Sequence, residues 1–389
     1  MTTKQNVLVH PAGWTCRYLA PHHHPHLDEF LAMWMIQSFG SLRYPDSASA
    51  AHLQTWFGKT WDAGITRPDP HGRSGELLEI EEGILSFGCG GGRFDEHPDP
   101  MKKTDRKVGC CATSVVRDLG LEDDPYLVGL LKYVEGEDAN AGKGDDHMPM
   151  LIKMMHQQGH PYEVVCQWAY AGINAKYFDT GHGNVLGDDD DGFSVEAIAS
   201  AMTRQYPSQP EKAVEWLAFA RGVDAERKRR FDEVTPIEYQ AKARVKEFVW
   251  NGATLKIVSA RTDDDQFSAY ARSKKGCQAA VVVIENSRGQ VSVLLNRHHA
   301  KKHGLRLDAV ARLIRLNEWK ASGRRLTKHI EEEELKLEGK LDLDDRGHWF
   351  PGVGIFNGSF TAPGVPPTRL SLDRIVEIIY SALDQSGRQ

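Results

Sequence analysis

Residues able to do chemistry concentrate in three short segments of this chain. His22-His23-His24-Pro25-His26-Leu27-Asp28 holds four imidazoles and a carboxylate. Gly90-Gly91-Gly92-Arg93-Phe94-Asp95-Glu96-His97 supplies two acids, a guanidinium and an imidazole, and Glu135-Gly136-Glu137-Asp138 adds three more acids. Imidazoles and carboxylates delivered together form the donor set of a divalent-cation centre. Carboxylates favour hard ions such as Mn²⁺ or Mg²⁺, and imidazole shifts the preference toward Mn²⁺, Fe²⁺ or Zn²⁺. His22 and His26 are four apart and Asp28 follows at the next alternate position, so a loop that ends a strand and opens a helix can bring the three together. A surface His-rich loop is the plain alternative, with Asp28 as the helix N-cap. The triple glycine lets the backbone approach another group closely. It delivers Arg93, Asp95, Glu96 and His97 beyond a buried strand, where α/β sheets place ligand sites. No G-K-[ST] follows, so this is not a P-loop, and a glycine hairpin with exposed charges is the alternative. Asp138, taken alone, reads as part of an ordinary acidic loop just past a helix.

The elements that must hold these segments are legible from periodicity. Val7 to Val9 and Arg17 to Ala20 are strand candidates. Leu27 to Phe39 is a helix with Leu27, Phe30, Leu31, Trp34 and Met35 on one face, ended by Gly40. Residues 43–79 read as loop with one short helix, and Gly83 to Phe87 is an apolar strand. Helices are expected at Cys111 to Leu119, Pro125 to Val134, Pro149 to Gln158, Pro161 to Lys176, Ser194 to Tyr206, Pro210 to Asp232 and Pro236 to Glu247, several opening on proline. Asp188 to Asp191 lie in the break between Gly181 and Gly192, a solvated connection rather than a Ca²⁺ site. Beyond Phe248, Thr254 to Ser259 is a strand. Ala279 to Ile284 and Val291 to Leu295 flank turn residues as a hairpin, and helices follow at Leu307 to Trp319 and Leu372 to Leu383. The fold class is α/β: a parallel-sheet domain over residues 1–180, a helical connector over 193–247, and a smaller carboxy-terminal α/β domain over 248–389.

The chain has 389 residues, of which 40% are hydrophobic and 26% charged, the balance of a globular protein with a sizeable core. A net charge of −6 argues against coating nucleic acid through bulk electrostatics, though not against a locally basic groove. No apolar run reaches the roughly 18 residues of a membrane span, and Val7-Leu8-Val9 is too short for a signal-peptide core. The six cysteines are scattered without a C-x-x-C pair, so neither a disulfide framework nor a zinc ribbon is indicated and a reducing cytoplasm is expected. No G-x-S-x-G elbow supports a serine hydrolase, and Cys110-Cys111 sits where a buried helix start is expected.

Together the segments resemble the DHH phosphoesterase superfamily, which cleaves phosphodiester or phosphoanhydride bonds at a two-manganese site. His22-x-x-Pro25-His26-x-Asp28 is similar to its first motif, with His26 in place of an Asp. Asp95-Glu96-His97 is similar to the Asp-His-His that names the superfamily, with Glu96 in the middle position. Within it, His26-Leu27-Asp28-Glu29-Phe30-Leu31-Ala32 and Gly88 to His97 look like the motifs of the melanocyte-proliferating-gene exonuclease family. The order of the hairpin from Ala280 to Leu295, Trp319, Pro351-Gly352 and Gly358-Ser359-Phe360 also follows that family. Two positions depart from it. Gly88 stands where the family has a metal-bridging Asp, and Thr361-Ala362-Pro363-Gly364 stands where it has Gly-Gly-His.

The resemblance implies a DHH-type amino-terminal domain and hydrolysis of RNA, short oligonucleotides or a signalling nucleotide, with Mn²⁺ and alternatively Mg²⁺ or Zn²⁺. His22 and His26 would hold one ion, and Asp28, Glu96 and Asp138 the other. Asp95 would orient the site, while His97 and Arg93 contact the scissile phosphate. Substrate contacts fall to Gly91, Gly92, Arg297, His298, Gly358 and Ser359. The basic run Arg297 to Arg306 would hold the substrate backbone, or be a solvated helix-entry loop. The alternative is a DHH-like nucleotide-binding sensor or interaction protein whose centre has decayed at Gly88.

Overall fold

The computed structural model describes residues 14–21, 24–43, 54–55, 75–88, 92–95, 109–140, 147–181, 193–323, 349–351, 354–357 and 367–384. The chain divides into two units, Met1–Asp224 and Ala225–Gln389, with the boundary inside one helix, Pro210–Arg229. Val7 to Val9 and the Asp188 to Asp191 break lie outside the described residues.

In the first unit β1 (Tyr18–Pro21) pairs in parallel with β2 (Gln54–Thr55) on one side and β3 (Ile84–Phe87) on the other. The register sets Pro21 opposite Phe87, so both strands end at the same edge. Alternation along these strands sends Leu19, Leu85 and Phe87 into the main core, while Ala20 and Ile84 meet Leu78 of α2 (Gly75–Glu82) on the other face. Helix α1 (Leu27–Phe39) follows β1, and every residue from Leu27 to Ile36 is buried. A helix without an exposed stripe must be enclosed. It packs against α3 (Cys111–Leu119), α4 (Pro125–Asn140), α5 (Met148–Gln157) and α6 (Tyr162–Gly181). Phe30 lies among Tyr162 and Tyr170, and Trp34 against Phe39 and Tyr177.

Helices α7 (Val195–Gln205) and α8 (Pro210–Arg229) fall in the stretch expected to act as a connector. Instead they carry Ile198, Met202, Ala213, Trp216 and Val223 into the first unit's core. Trp216 stacks on Trp168 with centroids 4.5 Å apart, and each indole N–H donates to the other residue's carbonyl, at 2.9 and 3.2 Å.

The second unit has a six-stranded mixed sheet, β4 (Arg244–Trp250), β5 (Ala253–Arg261), β6 (Val281–Glu285), β7 (Val291–Leu295), β9 (Gly354–Asn357) and β8 (Trp349–Pro351) in that order. β5 and β6 run parallel through a crossover containing α10 (Phe267–Arg272), and β6 and β7 form the expected hairpin. Val258, Ala260 and Val282 face Phe267 and Ala271 of α10. Ile257, Val281 and Val283 face Val310 and Ile314 of α12 (Asp308–Ala321) and Ile375 and Ile379 of α13 (Leu372–Leu383). The layers are therefore helix, sheet and helix. The helix expected to run from Pro236 to Glu247 ends earlier. α9 spans Thr235–Lys242, and β4 begins at Arg244 and pairs antiparallel with β5 along all its length. Asn251 and Gly252 between them take positive φ of 47° and 74°, the two-residue hairpin turn that Asn-Gly favours. No helix among the described residues is long and apolar enough to cross a membrane.

Candidate metal centre

β1 and β3 are adjacent and parallel, and the segments leaving their carboxyl ends meet. After Pro21 the chain passes His24 and Pro25 and enters α1 at His26, whose backbone is extended (φ −91°, ψ −174°) as an N-cap requires. His156 of α5 fixes this approach: its Nε2 lies 3.1 Å from the Pro25 carbonyl and its ring meets His24 edge-on at 5.1 Å. The His26 N–H donates to Glu29 Oε2 at 2.6 Å, half of a capping box. Asp28 and Glu29 occupy the first turn, where the helix dipole favours negative charge.

His26, Asp28 and Glu29 each offer one ligand atom, and these atoms lie within 4.8 Å of one another. Among the described residues no other His, Cys, Asp or Glu joins all three within that distance. His26 is exposed, whereas Asp28 and Glu29 are buried, at 4% and 2% exposure. Gly88, at the end of β3, is the wall behind Glu29. Its φ is +63°, and a Cβ there would collide with the Glu29 carboxylate. On the other side the Cys111 thiol, in the first turn of α3, donates to Asp28 Oδ2 at 3.3 Å. Two residues on, Thr113 donates its hydroxyl to Glu135 of α4, so the first turn of α3 links Asp28 to the acidic run. That run is helical rather than a loop, since α4 continues past Val134 to Asn140.

Burial, the charge of Glu29 and a hydrogen bond with Glu29 push the Asp28 carboxyl up to about 7, against smaller opposing pulls from His26 and Cys111. Two buried carboxylates side by side resist simultaneous ionisation, and a cation between them relieves that repulsion. One ion with ligand bonds of about 2.0–2.2 Å holds adjacent donors roughly 3–3.5 Å apart, so the three donors would have to draw together to bind it. Two carboxylates and one imidazole suit Mn²⁺, with Mg²⁺ and Zn²⁺ as neighbours in preference.

The remaining expected site residues are dispersed. Arg93, expected on a phosphate, is held between carboxylates: its Nε lies 2.9 Å from Glu79 Oε1 and its Nη1 pairs with Asp118, while its guanidinium covers the Phe94 ring at 4.5 Å. It is a clamp joining the glycine loop to α2 and α3. Phe94 forms a parallel bridge with Phe87, and the Gly88 N–H donates to the Phe94 carbonyl at 3.1 Å. Asp95, the next residue, is buried, and its N–H bonds the Gly92 carbonyl. A Cβ on Gly92 would strike the Ser86 hydroxyl, so Gly92 serves close packing. His22, Gly91, Glu96, His97, Gly358 and Ser359 lie outside the described residues. Asp138 belongs to α4, with its side chain outside the described residues. Arg297 and His298 open α11 (Arg297–His303) of the second unit, an exposed helix rather than a loop.

Sequence reasoning did not single out Glu29, Cys111 or Glu135 as site residues. Glu29 had a signal, its spacing three residues after His26, which is the capping-box interval. Cys111 had none, because a buried thiol at a helix start reads as packing. No protein-family model, curated protein or solved structure matches this chain.

Proposed function

We propose that the first unit is a divalent-metal-dependent phosphodiester hydrolase related to the DHH phosphoesterases, acting on RNA, short oligonucleotides or a signalling nucleotide. The observation that carries this is the convergence of His26, Asp28 and Glu29 at the carboxyl edge of a parallel sheet, with two of the three acids and imidazoles buried together. His26, Asp28 and Glu29 hold the ion, and His22, Glu96 and Asp138 are the candidates to complete its shell. When bound, Mn²⁺ supplies a water acidified toward neutral pH and a counter-charge for the phosphate oxygens. Cys111 holds Asp28 from behind by its hydrogen bond. Gly88 lets Glu29 stand where a strand-borne side chain would otherwise project. Asp95 orients the loop, and His97 contacts the phosphate. Cleavage of bis(p-nitrophenyl) phosphate with added Mn²⁺, lost in Asp28→Ala, is the expected result. Equal rates in both proteins would refute it.

The second reading is a nucleotide-binding protein with a decayed centre, and Gly88 favours it, since no carboxylate reaches the cluster from β3. It predicts nucleotide binding with neither bound metal nor turnover. Elemental analysis of protein purified without chelator separates the two.

A further inference from the structure

We propose that the free edge of β4 takes up an extended peptide of another protein as an added antiparallel strand, one that reads base, acid, apolar. Among the described residues β4 is the outermost strand of its sheet and pairs only with β5. The Asn251-Gly252 turn makes Trp250 and Ala253 the closing hydrogen-bonded pair. Phe248, Lys246 and Arg244 then bond β5 as well, while Val249, Glu247 and Val245 turn their backbone groups outward. Two further bonds fit this phase. Lys256, opposite Glu247, gives its carbonyl to the Ala280 N–H on the β6 side, at 2.8 Å. The outward Val249 N–H donates to Asp384 Oδ1 at 2.9 Å. Val245 and Glu247 have no such cover among the described residues, and both are exposed, Val245 at 50%.

Charges that stand across a strand edge guard it against added strands. Here the basic side chains lie back over α13 instead. Lys246 Nζ is 3.7 Å from the Tyr380 ring centroid, and Arg244 Nη1 is 3.0 Å from Asp373 Oδ1. A second copy of the chain is a poor occupant. Two antiparallel β4 strands related by a two-fold axis must set outward residues opposite one another. With Val245 opposite itself, Arg244 meets Lys246. With Val245 opposite Glu247, Lys246 meets Lys246, and with Glu247 opposite itself two carboxylates meet. Like charges directly opposite are destabilising. A foreign strand escapes all three registers. Lys246 and Glu247 point to opposite faces of the sheet, and neither forms an ion pair among the described residues. An antiparallel peptide that reads base, acid, apolar sets its base opposite Glu247, its acid opposite Lys246 and its apolar side chain opposite Val245. Main-chain bonds to Val245 and Glu247 supply the attachment and the three side chains the choice of partner. This surface is independent of the hydrolase proposal, because it lies wholly in the second unit.

The test is fluorescence anisotropy of a labelled peptide, threonine-valine-lysine-glutamate-valine-threonine with blocked ends, against the full-length protein. Saturable binding is expected. The same peptide N-methylated at the lysine and at the second valine loses the two donors that face β4 and should not bind. Val245→Pro deletes an outward donor without touching the β4–β5 ladder, and should weaken binding roughly tenfold. Lys246→Glu should weaken it about fivefold. Melting temperatures show that each variant folds, and the N-methylated peptide tests the wild type alone. Absent binding, binding that survives N-methylation or Val245→Pro, or a sedimenting dimer that Val245→Pro dissolves would each overturn the proposal.

Discussion

Asp28 is the residue on which the proposed chemistry turns: in the proposed metal centre its carboxyl would hold either a proton or the ion. With its folded value raised from 3.8 to about 7, it is mainly protonated below neutrality in the metal-free protein. A raised acid favours the folded state only while protonated, so it contributes stability at low pH that is lost as pH rises from about 4 to 7. Mn²⁺ must displace the proton, so its affinity should fall by about tenfold per pH unit below 7. Calorimetric titration across pH checks this, and in Asp28→Asn only the proton competition at the remaining ligands should persist. Gly88 is the second critical residue. Gly88→Ala incurs both the positive φ and the collision with Glu29, and should cost roughly 2–3 kcal/mol. In the Glu29→Ala background the collision disappears, so the two changes should be non-additive by about 1 kcal/mol or more in a denaturant double-mutant cycle.

At the scale of elements, the segment from Gly92 to Asp95 is held by a single backbone bridge to Phe87 and by side chains. Arg93 connects it to Glu79 of α2 and Asp118 of α3, all three largely buried. Arg93→Ala would leave buried acids uncompensated and should cost about 3 kcal/mol in denaturant unfolding, with Arg93→Lys recovering little because one ammonium cannot span both acids. The same scale shows what the sequence made legible. Helices α1, α3 and α13 begin and end where periodicity and caps place them, because their apolar stripes and termini are local signals. The first four residues of β4, Arg244 to Glu247, fall in the expected helix because they carry no strong bias, and pairing with β5 decides their state. Asn251-Gly252 was the available cue. The placement of Arg93 between Glu79 and Asp118 is hidden from sequence for a related reason. A basic residue beside glycines looks catalytic until distant acids, invisible in sequence, are folded against it.

Across the molecule, each unit closes a core of its own. The first unit's core draws on helices as far along the chain as Val223, and the second unit's cores lie on the two faces of its sheet. Truncating the Trp168–Trp216 stack by Trp216→Ala should therefore cost the first unit roughly 3–5 kcal/mol. Hydrogen exchange should report lost protection in α6 and α8 and unchanged protection in β5, β6 and β7. The proximity of His26 and Asp28 is readable because they are sequence neighbours, whereas Glu29 is legible only through its capping-box interval. The backing by Gly88 and Cys111 was not, since it spans separations of dozens of residues.

Helix α1 is enclosed from its first turn to Ile36, so the two acids ride on a rod with no slack. Tuning of the proposed cation site would then belong as much to Met33, Met35 and Ile36 as to His26, Asp28 and Glu29. A lost methylene deep in that packing would tilt the rod and spread the donors apart, and weakened ion capture would register the damage while the protein still folds.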